Sequence, residues 1–572
     1  MTPSPHFSAG SGLPVHPAPT PQPRPSRRAV LRAGLVTTSA AALGTLPVAT
    51  ANAAPQLPAD PFTLGVASGD PDSRSVILWT RLAIDPLADD GRGGMPNRSY
   101  PLSWQIADDE RFRRVVRSGQ AVARPDYGHA VHVTADGLRP GREYYFRFRQ
   151  GRYLSPVART VTAPAADESP AALAMSFVSC SQYEHGWFTG YRRLAEDQPD
   201  LILHLGDYQY EYKANSYVAP TGNVRDHAGP ETVDLAGYRQ RHAQYKTDPD
   251  LQAAHSAAPF VVVFDDHEVD NNWAADIPEH AEDAPGFIDR RAAAFRAYYE
   301  NMPLRPTSIP QGAAIQIYRR LQWGKLANFH LLDTRQFRDD QGCGDGYDHD
   351  CPEAVDPNRS ITGAEQERWL VDGFRRSTAT WDVIGQQVFF AQRDNDQGPL
   401  KTVSMDAWDG YAASRDRITK AWVDAKVRNP VVLTGDVHAH WASDLKLDYD
   451  DPDSPTVGSE LVCSSITSGG DGADSASGAH PWLAWNPHLR FQNNLRGYVR
   501  TKITAERMDA DFRCVAKVSV PDQPVFTRAS FAVFDGRPGL QQTQDNPPVA
   551  PLGKRPATEV TRDTVDWETK RP

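Results

Sequence analysis

In Leu201-Ile-Leu-His-Leu-Gly-Asp-Tyr-Gln-Tyr-Glu-Tyr212 an apolar run gives way at a glycine to a cluster of acidic and aromatic residues. Leu201, Ile202, Leu203 and Leu205 form a short apolar run of the kind that suits a strand covered on both faces. Gly206 ends it, because a residue without a side chain lets the backbone turn sharply. Asp207 and Tyr210 follow at once, at the carboxyl end of the strand, where open α/β sheets hold their ligands. A carboxylate there and a phenol three residues later can reach one ion together. Read alone, the same pair also serves as a helix-capping Asp beside a packed Tyr, and short motifs have many false positives.

Outward from this stretch, apolar strands alternate with helical segments. Strands are expected at 173–178, 201–205, 260–264, 326–332, 381–388 and 430–434. Helices are expected at 188–197, 237–245, 287–300, 362–377 and 418–427. This alternation indicates an α/β sheet. Beyond Val457 the runs 461–466, 497–503 and 508–515 read as strands and predict a second sheet. Residues 58–164 read differently: short alternating runs separated by turns such as Gly69-Asp-Pro-Asp72 and Pro140-Gly141 predict a small β-sandwich. In it Leu138-Arg-Pro-Gly-Arg-Glu-Tyr-Tyr-Phe146 resembles the late-strand corner of fibronectin type III domains, and Asp70 and Asp72 read as turn residues. From Gly536 the chain is rich in Pro, Gln, Asp and Thr and reads as a loosely held extension.

The start of the chain reads as an address. Pro25-Ser-Arg-Arg-Ala-Val-Leu-Arg32 resembles a twin-arginine export signal. A moderately apolar stretch and Ala51-Asn-Ala53 follow it, which fits small-residue cleavage. Cargo of this route is folded before export, often around a cofactor loaded in the cytoplasm, which points to a selectively inserted metal. The leader carries four arginines and no acids, so its removal takes the net charge from −11 to −15. An acidic mature chain argues against binding nucleic acid through its bulk field. Of the five cysteines, Cys343 and Cys351 lie close together in a Gly/Asp-rich loop. That spacing suits a local disulfide in an oxidising compartment, the alternative being an ion loop built on Asp345, Asp348 and Asp350. Cys463 and Cys514 sit in strand-like runs, either as buried apolar residues or as a second bridge.

Polar residues gather just past four of the strands. Cys180 follows the first; Asp207 and Tyr210 follow the second. Asp265, Asp266, His267, Glu268, Asp270, Asn271 and Asn272 follow the third, and Asp436, His438 and His440 the fourth. Any one cluster could be a turn or a cap, but four at equivalent places in one sheet converge on one site. Thiolate, phenolate and imidazole from Cys180, Tyr210 and His438 suit a trivalent or borderline transition metal. Oxygen donors from Asp207, Asp265, Asp266, Asn271 and Asp436 suit a hard divalent ion such as calcium. Zinc is a weaker fit, since no Cys-x-x-Cys pairing accompanies Cys180. A serine nucleophile is also disfavoured, since no Gly-x-Ser-x-Gly elbow stands at a strand end.

Phe177-Val-Ser-Cys180, Gly206-Asp-Tyr-Gln-Tyr-Glu211, Asp265-Asp-His-Glu268 with Asn271-Asn-Trp273, Leu332-Asp-Thr-Arg-Gln336 and Leu433-Thr-Gly-Asp-Val-His438 resemble the PhoD-type alkaline phosphatases. Ala297-Tyr-Tyr-Glu-Asn-Met-Pro-Leu-Arg305 and Asn493-Asn-Leu-Arg-Gly-Tyr498 add to the likeness, which also extends to iron-containing phospholipase D enzymes. The resemblance implies an α/β (α+β) metallophosphoesterase-like sheet sandwich with helices, preceded by a small all-β immunoglobulin/fibronectin-III-like domain. The expected division is a twin-arginine signal over 1–53, a β-sandwich over 58–164, a catalytic domain over 172–535 and an extension over 536–572. The implied cofactors are Fe3+ and Ca2+. Carried over by motif, Cys180, Asp207, Tyr210 and His438 would surround the iron. Asp207 and Asp436 would be shared with calcium, helped by Asp266 and Asn271.

For the chemistry, His267 would act behind the metals or as an acid to the leaving group. Arg290 and Arg291 would clamp phosphate or be ordinary helix charges, and His242 would be structural. A phosphate ester repels hydroxide, so its hydrolysis needs cations that neutralise it and generate hydroxide near neutral pH. The expectation is therefore a secreted monomeric hydrolase of phosphate esters, served by the twin-arginine machinery and active at alkaline pH. A phospholipase D would share the cluster and would touch membranes, with Trp187, Phe188 and Trp273 as candidate apolar residues at its mouth. A cell-surface adhesion module would fit the β region and export but leave the four strand-end clusters unexplained.

Overall fold

The computed structural model describes residues 57–548; the export leader expected over 1–53 lies outside the described residues, as does the chain beyond 548. The first three apolar runs become the strands Leu173–Val178, Leu201–Leu205 and Phe260–Val263, paired in parallel in that order. Every residue of Leu201–Leu205 and Phe260–Val263 is buried, as coverage on both faces demands. Arg496–Ile503, Arg507–Val515, Val525–Phe534 and Arg537–Asp545 extend this sheet antiparallel beyond Leu173–Val178, and Val66–Gly69, Val76–Arg81 and Ala130–Ala135 extend it on the other side, to ten strands.

A second sheet of seven strands has a parallel centre of Ala327–Leu331, Trp381–Gly385, Pro430–Thr434 and Thr456–Val462. The two sheets lie face to face. A methyl group at Gly385 of the second would sit 3.4 and 3.5 Å from Leu203 and Leu205 of the first. One apolar cluster joins Phe177, Leu203 and Val261 to Val383, Val431 and Leu461. It also takes in Tyr191, Tyr238, Leu251 and Phe295 from the helices Thr189–Glu196, Leu235–Lys246, Pro249–Ala257 and Phe287–Asn301. A second cluster packs Leu370, Phe374, Ile418 and Trp422 of Gly363–Arg376 and Ala412–Asp424 against Ile384 and Val432. The result is a sheet sandwich clad in helices. No helix among the described residues is long and apolar enough to cross a membrane.

The region 58–164 is all-β, but its strands divide between two sheets. Tyr100–Ala107, Val115–Ala123, Glu143–Gln150, Tyr153–Leu154 and Ala158–Val161 form a five-stranded sheet of their own, while the other three strands belong to the ten-stranded sheet. Val76, Leu78, Val131 and Val133 share one core with Ile106, Phe146 and Phe148. The seam is hydrogen-bonded as well. Buried Arg81 donates to the carbonyls of Gly128 (3.0 Å) and Arg239 (2.9 Å) and to Asn301 (3.1 Å), and Trp79 donates to the carbonyl of Glu300 (2.9 Å).

One expectation needs correction, and one helix was not anticipated. The segment from Gly536 does not begin as a loose extension: Arg537–Asp545 is an edge strand on Val525–Phe534, and the Leu540 N–H donates to Asp444 at 2.7 Å. Its side chains are mostly exposed, so a polar sequence hides a strand held by its backbone. The helix Pro249–Ala257 carried no apolar stripe to announce it. It is started by Asp248, whose carboxylate accepts from the N–H groups of Asp250 (2.9 Å) and Leu251 (3.3 Å), followed by Pro249 at the first helical position.

Candidate metal centre

The carboxyl ends of three strands in the first sheet and one in the second open toward one another. Gly206 has φ 110°, and a Cβ there would lie 2.4 Å from the Cβ of Asp265, so only glycine lets the loops after Leu201–Leu205 and Phe260–Val263 approach this closely. A Cβ on Gly435 would lie 2.6 Å from that of Ser179, which is where the two sheets meet. The loops are stitched together. The Cys180 N–H donates to the Gly206 carbonyl (3.1 Å), and the Ser181 N–H to that of Asp207 (2.9 Å). Buried Glu268 accepts from the N–H groups of Asp207 (3.1 Å), Tyr208 (2.6 Å) and Asp265 (2.9 Å).

Cys180, Asp207, Asp436 and His438 all hold left-handed backbone, at φ 60°, 55°, 65° and 53°. Non-glycine residues adopt this conformation at a cost, and such residues concentrate where function fixes them. Here it turns four donor side chains inward. Ligand atoms of Cys180, Asp207 and His438 lie within 4.8 Å of one another, as do those of Asp207, Asp266 and His267, and those of Asp265, Asp266 and Asp436. The Tyr210 hydroxyl joins the first group: it donates to Asp207 Oδ2 at 2.7 Å, lies 3.2 Å from His438 Nε2 and accepts from Ser468 Oγ at 2.7 Å. A cavity of about 530 Å³ opens over the groups, lined by Asp207, Asp266, His267, Asn271, Asp436 and His438 among others.

The donor set fits cations. Asp207 Oδ1, Asp265 Oδ2 and Asp266 Oδ1 are buried without a hydrogen-bond donor, an arrangement that costs free energy unless positive charge arrives. Burial first, then Asp207, raises Cys180 and Tyr210 well above their ordinary values. Burial also raises Asp207, with Asp266 and Asp265 adding to the rise. Asp265 is pushed up to about 7 and Glu268 to about 8, burial again leading. His438 is driven well below the usual imidazole range by burial, then by Arg496, and so keeps a free lone pair. Two arrangements resist the trend. Burial opposes the ionisation of Asp266, but His267, Arg335 and the Asn272 N–H hold it below the carboxylate range. Burial likewise opposes charge on His267, but Asp266, Glu211 and Asp207 outweigh it and raise it well above the usual range.

The structure thus gathers Cys180, Asp207, Tyr210, Asp266, His267, Asn271, Asp436 and His438. It does not bring in Arg291, which donates to the Ala275 carbonyl and lies 5.6 Å from the centre of the Trp273 ring. Arg290 is spent on Asp270 (3.2 Å) and Glu231 (3.1 Å). His440 turns into the second sheet, where Nδ1 accepts from the Ser464 N–H at 2.9 Å. His242 is buried among Tyr208 and Tyr298. The apolar mouth expected of a lipid-cleaving enzyme is missing from the expected residues: Phe188 and Trp273 are buried, and Trp187 does not line the cavity. The Cys343–Cys351 disulfide forms as expected, and Cys463 and Cys514 are free and buried rather than bridged.

Several residues of the site had no role assigned from sequence. Glu211 Oε2 lies 2.9 Å from His267 Nδ1, while the His267 ring stacks on Tyr210 at 4.1 Å. Arg335 donates to Asp265 at 2.6 Å and, through two nitrogens, to Asp406 at 2.8 and 2.9 Å. Arg496 reaches the carbonyls of His438 and Gly470. All three stand inside motifs quoted above, so the signal was present, but their partners are distant in sequence.

Profiles of the PhoD-like phosphatase family match residues 173–512, and profiles of the family's N-terminal domain match residues 48–164. Alkaline phosphatase D of Bacillus subtilis (strain 168) is 49% identical over 491 residues, covering 86% of this chain and 84% of that protein. A solved structure described as the structure of PhoD superposes with a TM-score of 0.86 at 46% identity, covering 90% of this chain and 99% of the other.

Proposed function

The chain belongs to the PhoD-like phosphatase family, and from this we propose that it is an alkaline phosphatase whose reaction takes place in the cavity between Asp207, Asp266 and Asp436. It is a phosphoesterase hydrolase acting on phosphate esters. The observation that carries the placement is the convergence of four strained strand-end loops on buried oxygens without donors. In this reading Cys180, Asp207, Tyr210 and His438 would hold a ferric ion, and Asp207, Asp266, Asn271 and Asp436 would hold calcium. Sulfur, phenol and imidazole donors on one side and oxygen donors alone on the other support that division. Such cations supply charge neutralisation of the ester and a source of hydroxide near neutral pH.

The protein's own groups do the rest. The rigid loops fix the phosphoryl group relative to the carboxylates, so the rate draws on positioning and electrostatics. His267 faces the cavity, and against the pull of burial Asp266, Glu211 and Asp207 raise its imidazole well above the usual range, so it is placed to donate a proton to the departing alkoxide oxygen. Glu211 fixes the His267 ring through Nδ1, leaving Nε2 for this task. The twin-arginine-like leader and the disulfide support placement outside the cytoplasm. The test is turnover of a chromogenic monoester, a chromogenic diester and phosphatidylcholine with metals supplied. Hydrolysis of the monoester is the expected result. A preference for phosphatidylcholine would make the protein a phospholipase D, and inactivity on all three would overturn the proposal.

A further inference from the structure

Asn272 lines the cavity next to Asn271, and it is held from three directions. Its N–H donates to Asp266 Oδ2 at 2.9 Å. Its carbonyl accepts from Gln341 Nε2 at 2.7 Å. Its side-chain amide donates to both oxygens of Asp345, at 3.0 and 2.9 Å. Asp345 lies within the loop that the Cys343–Cys351 disulfide closes, and Gln341 stands two residues before it. The backbone of Asn272 is left-handed, at φ 47°, which an L residue other than glycine holds only where its surroundings insist.

The loop itself is anchored independently of Asn272. Tyr347–His349 pairs with Thr402–Ser404, and the Met405 N–H donates to the Gly346 carbonyl at 2.8 Å. Cys351 packs with Ala354, Val403 and Met405 in a small apolar cluster. Gln341 also donates to Asp406 at 2.8 Å, the carboxylate that grips Arg335. Disulfide, hairpin and apolar seat thus form one strap whose free edge carries the two groups that grip Asn272.

We propose that Asn272 is a positioning residue for Asp266, and that the disulfide-closed loop sets the cation affinity of the site by holding Asn272 in its left-handed conformation. The link has three steps: the disulfide closes the loop that carries Asp345, Asp345 grips the Asn272 side chain, and the Asn272 N–H holds Asp266. Opening the disulfide loosens the segment that carries Asp345, Asn272 loses that grip and relaxes toward commoner backbone, and Asp266 loses the donor to its Oδ2. Groups that orient a metal ligand typically contribute about 10- to 100-fold in metal affinity. The inference rests on the reading of Asp266 as a calcium ligand.

The experiment uses the full-length protein, dialysed against a calcium chelator and titrated with calcium. The rise in melting temperature is one readout and monoester turnover the other. Two variants are compared with wild type. Cys343→Ser/Cys351→Ser opens the strap. Asn272→Ala cuts the link to Asp345 and leaves a residue that holds φ 47° only at a cost. Both should need about tenfold more calcium for the half-maximal melting shift and for half-maximal turnover. Combining all three substitutions should add no further loss, since they break one path. Should the double variant fail to fold, Asn272→Ala decides alone. A variant that titrates within about twofold of wild type, or effects that multiply, would overturn the inference. A wild type with no calcium response at all would instead remove the calcium reading, and this inference with it.

Discussion

Tyr210→Phe removes one oxygen and leaves the ring against His267, so it separates a ligand from a core aromatic. In the structure that oxygen donates to Asp207 and accepts from Ser468. Were Tyr210 only a packing residue, the variant would leave two buried polar groups short of a partner. Each such group costs about 1–3 kcal/mol, so the metal-free protein should lose about 2–6 kcal/mol. For a chain larger than 250 residues that is a melting shift of about 2 °C per kcal/mol or less. As an iron ligand, Tyr210 has a further effect. Its phenol lies well above its usual pKa because of burial and Asp207, and binding must expel that proton. A phenolate on ferric iron absorbs visible light, so wild-type protein should be coloured, and Tyr210→Phe should bleach it and lose turnover by orders of magnitude. The assays are an absorption spectrum, an iron determination and turnover, with circular dichroism as the control for folding. A folded variant that keeps its iron, its colour and its turnover refutes the assignment.

Three further outcomes are expected. Dialysis against a calcium chelator should abolish turnover, and calcium alone should restore it, because oxygen-only sites release their ion while thiolate and phenolate retain theirs; full activity in metal-free buffer counts against this. Glu211→Gln removes a charge that raises His267, so the alkaline limb of the kcat/KM profile should move to lower pH. The sign follows from linkage: the raised imidazole contributes stability that is complete below its unfolded pKa and lost as pH rises through its folded one, and the variant lowers that upper limit. An unmoved limb would remove His267 as the acid. Arg335→Met leaves Asp265 buried without its cation, while Asp406 keeps Arg338, and should cost about 3–5 kcal/mol in a denaturant titration; a loss under 1 kcal/mol would show that the pairing is dispensable.

How much of this was legible in the sequence depends on the reach of each interaction. Leu201–Leu205 and Pro430–Thr434 were readable because two-faced burial leaves a continuous apolar run, and the donors just past them were readable because a strand end fixes where its loop begins. The Cys343–Cys351 disulfide was readable because its two ends lie close along the chain. The joining of Val66–Gly69 to the catalytic sheet was not, since its partner Phe260 is far along the chain and hydrogen bonds between strands leave no trace in composition. The same limit explains Arg291, for which phosphate clamp and ordinary helix charge were both open from sequence, and whose guanidinium turns to the Ala275 carbonyl. It also explains Arg335, quoted within a motif without a role. Local sequence announces which residues carry charge, but not which charge each one offsets. At this site the offsets decide the chemistry: Arg335 and His267 keep Asp266 ionised, while the carboxylates around them outnumber the cations the chain supplies. That imbalance is tolerable in a buried site only when further positive charge is bound, which is why the fold itself argues for metal ions.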